Sequence, residues 1–237
     1  MTRMDLSGLP YLRPAGPPTT PPTADPDVPG AAAWLAAGSA EAVAIVLGIP
    51  YGGGSISRAR TDLLPSALRE ALARFTLWSS DAEVSLEDVP VVDAGDVEPV
   101  EGVAAMQSRV AAVVGALRDR APVPLAAVGG DNSVTVGLVR GTGADALLTF
   151  DTHHDCRDLA PGPTNGSPVR QLVEGGLAPV VQIGIHGFAN GRANALWAKD
   201  HGVRWFAAGT VRSAGIEAVL EDALGILEGA GRIWVDV

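Results

Sequence analysis

From about residue 40 onward, short continuous apolar runs alternate with segments whose apolar residues recur at helical spacing. The runs are AVAIVLGIP, VPVVDAG, VPLAAVGG, ALLTFD, VVQIGIH, VRWFAA and RIWVDV, and the segments between them include LPSALREALARF, VAAMQSRVAAVVGALRDR and IEAVLEDALGILEGA. A strand that is apolar on both faces must be covered on both. The rhythm therefore predicts seven strands in a mostly parallel sheet between two helical layers, a three-layer α/β/α fold. No fixed-period repeat is visible. Residues 1–30 read differently. With LRPAGPPTTPPTADPDVPG they hold eight of the eighteen prolines, and proline removes backbone donors and breaks helix and sheet alike. They predict a flexible or surface-hugging arm ahead of one α/β domain over residues 31–237.

Composition narrows the function. At 237 residues, 47% hydrophobic and 19% charged, the chain has enough apolar side chains for one large core. Its formal net charge of −10 and pI near 4.7, with no run of Lys or Arg, argue against nucleic acid or an anionic membrane as partner. No apolar stretch reaches the roughly 18 residues a membrane span needs, and the proline-rich start lacks the form of a signal peptide. The expectation is a soluble cytoplasmic protein. The single cysteine, Cys156, excludes an intramolecular disulfide and reads as a small half-buried thiol rather than a nucleophile.

In parallel α/β sheets ligands collect at the carboxyl ends of the strands. Here those ends carry Tyr51 with Gly52 to Gly54, then Gly129 to Asn132, Asp151 to Asp155, His186 and Asp236. The stretch LLTFDTHHDCRD stands out. On an extended backbone Asp151, His153 and Asp155 share a face while Thr152 and His154 point away. Carboxylates packed so closely repel one another unless a cation compensates, and a divalent metal is the simplest compensator; the bland reading is a polar turn after a strand.

The ordered series GIPYGGGSISRART, VGGDNSVT, FDTHHDCRD, NGSPVR, QIGIHG and WVDV resembles the ureohydrolase superfamily of arginase, agmatinase and formimidoylglutamase. The resemblance runs from about residue 43 to the last residue. It implies an arginase-like fold and two Mn²⁺ per subunit, with Asp151 and Asp236 bridging the ions and His153 and Asp155 each binding one. In GGDNS, Asn132 stands where the family usually has a ligating histidine, so Asn132 is either a weaker neutral ligand or a helix N-cap. The resemblance also implies an eighth strand between the third and seventh. The chain stops one residue after Asp236, without the family's next aspartate, and is therefore expected to be a C-terminally truncated piece lacking that last strand, its own activity left open. The alternative is a natural end, with the gap filled by the proline-rich arm or another subunit.

Substrate choice rests on the residues after the metal turn. With HHD, Arg157 and NGSPVRQL, and Asn165 in place of a histidine, the chain looks closest to the formimidoylglutamase branch. That implies hydrolysis of the carbon–nitrogen bond of a linear amidine, N-formimidoyl-L-glutamate giving glutamate and formamide in histidine degradation. Agmatine or a guanidino acid, releasing urea, is the alternative substrate, and a non-catalytic relative is the alternative class. Arg157 is the candidate carboxylate clamp, or else an ion-pair partner of Asp158. Asn165, Ser167 and Arg170 are further candidate substrate-binding residues, Arg170 also reading as a solvated helix position. His186 could line the pocket or be structural. In catalysis Asp155 is expected to accept a hydrogen bond from the nucleophile or the emerging nitrogen, and His154 to shuttle a proton or, as favoured, to hold a supporting hydrogen bond. Beyond the small-molecule amidine, the expected partner is another copy of the chain, as a homo-oligomer.

Overall fold

The computed structural model describes residues 6, 8–16, 30–38, 41–57 and 59–237. Most of the proline-rich arm lies outside these residues. The chain divides into two compact units, Met1–Gly52 with Ala59–Val100 and Ala116–Asp131, and Gly53–Arg58 with Glu101–Gly115 and Asn132–Val237.

The first unit contains β1 (Leu12–Arg13), α1 (Ala31–Ala37), β2 (Ala44–Gly48), α2 (Leu64–Leu72), β3 (Trp78–Ser79), β4 (Val84–Ser85), β5 (Val91–Val97), the end of α3 (Val103–Arg120) and β6 (Leu125–Val128). Its sheet has the order β1-β5-β2-β6, and β2 runs parallel to both β5 and β6. The central strand is apolar on both faces, and Ile45, Leu47 and Ile49 are fully buried. The two-residue β1, within the segment read as an arm, lies antiparallel to the end of β5. Helix α2 is fixed by its one buried cation. Arg69 reaches Asp93 at 2.7 and 2.8 Å and Asp96 at 2.7 Å, a bidentate pair plus a third bond inside the unit. Close approach makes glycine necessary here, since a Cβ at Gly48 would lie 1.9 Å from Asp96 Oδ1.

The second unit holds the start of α3, then α4 (Thr135–Thr142), β7 (Ala146–Phe150), α5 (Pro168–Glu174), β8 (Val180–Ile185), α6 (Arg192–Asp200), β9 (Arg204–Ala207), α7 (Ala208–Ala214), α8 (Ile216–Ile226) and β10 (Ile233–Asp236). Its strands are all parallel, in the order β10-β7-β8-β9. Side-chain alternation builds the two covering layers. Leu147 and Val180 face Val136, Val139, Val169, Leu172 and Ala198 of α4, α5 and α6. Leu148, Val181 and Ile183 face Val219, Ala223 and Leu227 on and after α8. Helix α4 packs without a spacer against α3: a Cβ at Gly137 would lie 2.6 Å from Gln107 O, and one at Gly141 2.7 Å from Val114 Cβ.

All seven expected strands are present and parallel, and the three expected helices fall at Leu64–Leu72, Val103–Arg120 and Ile216–Ile226. The seven are divided between two four-stranded sheets, and the division falls between the third and seventh strands, where the family resemblance implies an eighth. Strands β6 and β10, the third and seventh of the expected set, each stand at the edge of their own sheet with one ladder unpaired.

Candidate metal centre

The site grows from the end of β7. Asp151 N donates to Ile183 O at 3.0 Å and His186 N to Thr152 O at 3.0 Å, which ties the turn after β7 to the end of β8. Past Phe150 the backbone bends and does not stay extended, so convergence by strand alternation is replaced by a turn. Asp151 Oδ1 accepts the backbone N–H of His153 at 2.8 Å, and the His153 ring lies 3.4 Å from the same oxygen. Asp155 sits at φ 49°, a left-handed conformation uncommon for an aspartate and costly unless its surroundings enforce it.

A second element meets this turn. Asn132 opens the short helical turn Asn132–Val134 that leads into α4. Its side-chain amide nitrogen donates to Asp155, and its oxygen lies 2.9 Å from the Thr135 hydroxyl, which is also 2.9 Å from Asp236 Oδ2. One hydroxyl proton serves only one of those two acceptors at a time. Asn132 is thus engaged by side chains on both ends of its amide, and α4 has no side-chain cap. The Asp236 carboxylate arrives from the end of β10, which pairs in register with β7 at Thr149.

The carboxylates are electrostatically crowded. Burial raises the Asp155 pKa to about 8, helped by the charges of Asp151 and Asp236 and opposed by the hydrogen bond from Asn132. Burial likewise lifts Asp236 to about 6, with Asp151 adding to it and Thr135 opposing. Hard carboxylate oxygens with an adjacent imidazole, crowded enough that Asp155 and Asp236 are both pushed up, are a donor set suited to a divalent cation. As the side chains stand, no three His, Cys, Asp or Glu groups among the described residues converge on one ion position. Their oxygens are turned instead to Asn132, Thr135 and His153.

Beside this cluster is a cavity of about 280 Å³, lined among others by His153, Asp155, Arg157, Asn165, Gly166 and Asn190. The Arg157 backbone N–H donates to Gly166 O at 2.9 Å, and its guanidinium is not the partner of Asp158, which instead stands 3.7 Å from Arg170. Asn165 holds the glycine-rich loop against this wall: its N–H donates to Gly54 O at 2.8 Å and its Oδ1 accepts from Ile56 N at 3.1 Å.

Several expected site residues lie elsewhere. His154 is 2% exposed, bonds to Gln182 Oε1 at 2.8 Å and meets Trp205 edge to face. Its ring is enclosed by β8 and β9, which corrects the proton-shuttle role and leaves the supporting hydrogen bond. Ser167 is fully buried and exchanges hydrogen bonds with Thr164 and Gln171, a turn-closing role in place of a substrate contact. Arg170 is held by Glu174 at 2.8 Å and lies over the Trp197 ring, away from the cavity wall. His186 is exposed and accepts from Phe188 N. Cys156 is buried completely, its thiol bonded to His154 O, and burial pushes its pKa up to about 12.

The sequence reading missed Asn190. Its Oδ1 accepts from His154 N at 2.8 Å and its Nδ2 donates to Thr152 O at 3.0 Å, clamping the turn after β7. The signal was there in GFANGRAN, directly after the strand end QIGIH. Asn194 of the same stretch also lines the cavity.

A parallel sheet between helices, with acids and amides gathered at its carboxyl ends beside a polar cavity, defines an α/β protein with its candidate site at the strand ends. The chain belongs to the arginase family, whose model matches residues 42–237. It is 29% identical over 196 residues to the formimidoylglutamase of Halalkalibacterium halodurans, a match covering 77% of this chain and 60% of that protein. The fold matches the crystal structure of formimidoylglutamase from Bacillus subtilis with a TM-score of 0.80 and 25% identity, over 95% of this chain and 73% of that one. It also matches a Trypanosoma cruzi formiminoglutamase with Mn²⁺, with a TM-score of 0.73 and 26% identity, over 84% and 72% of the two chains. The chain spans about 60% of the length of the curated relatives it matches first. No helix among the described residues is long and apolar enough to cross a membrane.

Proposed function

We propose that the chain hydrolyses the carbon–nitrogen bond of a linear amidine that also carries a carboxylate, N-formimidoyl-L-glutamate, to glutamate and formamide. The observation that carries this reading is that one cavity is lined by Asp155 and His153, which belong to the acid and imidazole cluster, and also by Arg157. An amidine is cationic and a carboxylate anionic, so a wall with both signs of charge matches the two ends of such a substrate. The formimidoylglutamase relatives support the same choice.

Asp151, His153, Asp155 and Asp236 are the residues that would hold two Mn²⁺, with the Asn132 amide oxygen as a neutral fifth donor after rotation away from Thr135. Such ions acidify water from a pKa of 15.7 to about 7, making a nucleophile at neutral pH. The chain's own contributions are positional. Arg157 would grip the carboxylate, and Asp155 would accept a hydrogen bond from the departing nitrogen as the carbon becomes tetrahedral. His154, Gln182 and Asn190 would keep the turn from moving. One water is consumed, the carbon–nitrogen bond to glutamate breaks, and the amine leaves with a proton.

The test is a substrate panel with added Mn²⁺ that scores formamide against urea. Release of formamide from formimidoylglutamate, with no urea from agmatine or guanidino acids, is expected. Urea as the main product would overturn the choice of substrate.

A further inference from the structure

Arg157 does not project from the cavity wall unaided. Its Cδ and Nε lie over the Cα of Gly166, in the space a side chain would fill. A Cβ at Gly166 would stand 2.6 Å from Arg157 Cδ and 2.8 Å from Nε, both inside any real contact distance. The backbones of the two residues are joined by the 2.9 Å bond from Arg157 N to Gly166 O, so neither can slide away. Gly166 is itself buried, one residue after the Asn165 that secures the glycine-rich loop. Its φ is not in the left-handed region, so the backbone there accepts any L residue. What the position excludes is volume beside one side chain.

We propose that Gly166 is a specificity-determining positioning residue: its missing side chain is what lets the Arg157 guanidinium lie along the cavity wall and select a ligand that carries a carboxylate. The proposal rests on the reading of Arg157 as a carboxylate clamp. An added methyl group meets the flexible part of the arginine, not backbone, so the arginine gives way and the fold does not. Gly166→Ala therefore acts as a conformational removal of Arg157 from the site.

The experiment is calorimetric binding to the full chain with Mn²⁺, for wild type, Arg157→Ala, Gly166→Ala and the double variant. The probes are L-glutamate and, each lacking one of its two carboxylates, 4-aminobutyrate and L-glutamine. Thermal melts check that each variant remains folded. Gly166→Ala is expected to weaken glutamate binding by about tenfold or more, as Arg157→Ala does, with preference for glutamate over at least one of the other probes lost. The double variant is expected to match either single one, because both remove the same contact. Glutamate binding by Gly166→Ala at the wild-type level, or a double variant whose losses add, overturns the role of Gly166 and leaves the clamp standing. No effect of Arg157→Ala overturns the clamp and, with it, this inference.

Discussion

At Asp155 a half-buried carboxylate, two neighbouring carboxylates and an amide donor meet on a left-handed backbone. Removing the cost of that arrangement is what a cation would do, and Asn132 currently stands in for part of it through its amide nitrogen. Replacing it by an imidazole supplies a stronger donor at the same place. Asn132→His is expected to tighten manganese binding by roughly tenfold or more in a calorimetric titration, on the order of what one ligand contributes; an unchanged titration curve would remove Asn132 from the ligand set. A second residue-scale expectation concerns Cys156, which is wholly buried under the turn. Iodoacetamide should leave it unlabelled in the native chain at pH 8 and label it in urea, as read by mass spectrometry, and rapid native labelling would show that the turn opens. At this scale the sequence was informative about residue type and weak on direction. It singled out Asp151, His153, Asp155 and Asp236, but whether His154, Ser167 or Arg170 face the cavity depends on bends that only the packing of β8, β9 and α6 decides. Asn190 acts through backbone groups of another loop, a contact no spacing along the chain encodes.

Individual elements were far more legible, because continuous apolar runs and helical periodicity are properties of one segment at a time. Strand β7 is ALLTF and helix α3 is VAAMQSRVAAVVGALRDR, and each was bounded to within a residue or so. The strands that escaped, β1, β3 and β4, have two residues each, too few to show a period. Contacts between elements yield two predictions. The glycines of α4 let it lie directly on α3, so Gly141→Leu overpacks that contact and is expected to cost about 1–3 kcal/mol in urea unfolding. A stability loss below about 0.3 kcal/mol would mean that the helices separate freely. In the other unit, Asp93→Asn leaves Arg69 buried with one carboxylate in place of two. Breaking a buried pair costs about 3–5 kcal/mol, and a loss below about 1 kcal/mol would show that Arg69 finds solvent.

Within the second unit, the parallel strands place their carboxyl ends where the acids, amides and Arg157 are found, and the periodicity of the chain foretells strands whose ends can carry such a site. The division into two sheets falls between β6 and β10, where the family resemblance implies an eighth strand; apolar runs alone do not encode it, since the order of strands within a sheet is a long-range property. Asp151, at the head of the turn after β7, would be shared by the cations on which the proposed hydrolysis depends. This sharing is tested most directly by counting manganese per chain after gel filtration at neutral pH, by plasma mass spectrometry, for the wild type and for Asp151→Ala. Two ions are expected in the wild type and fewer than one in the variant, with hydrolysis lost in parallel; equal manganese in the two proteins would contradict a shared ligand at Asp151.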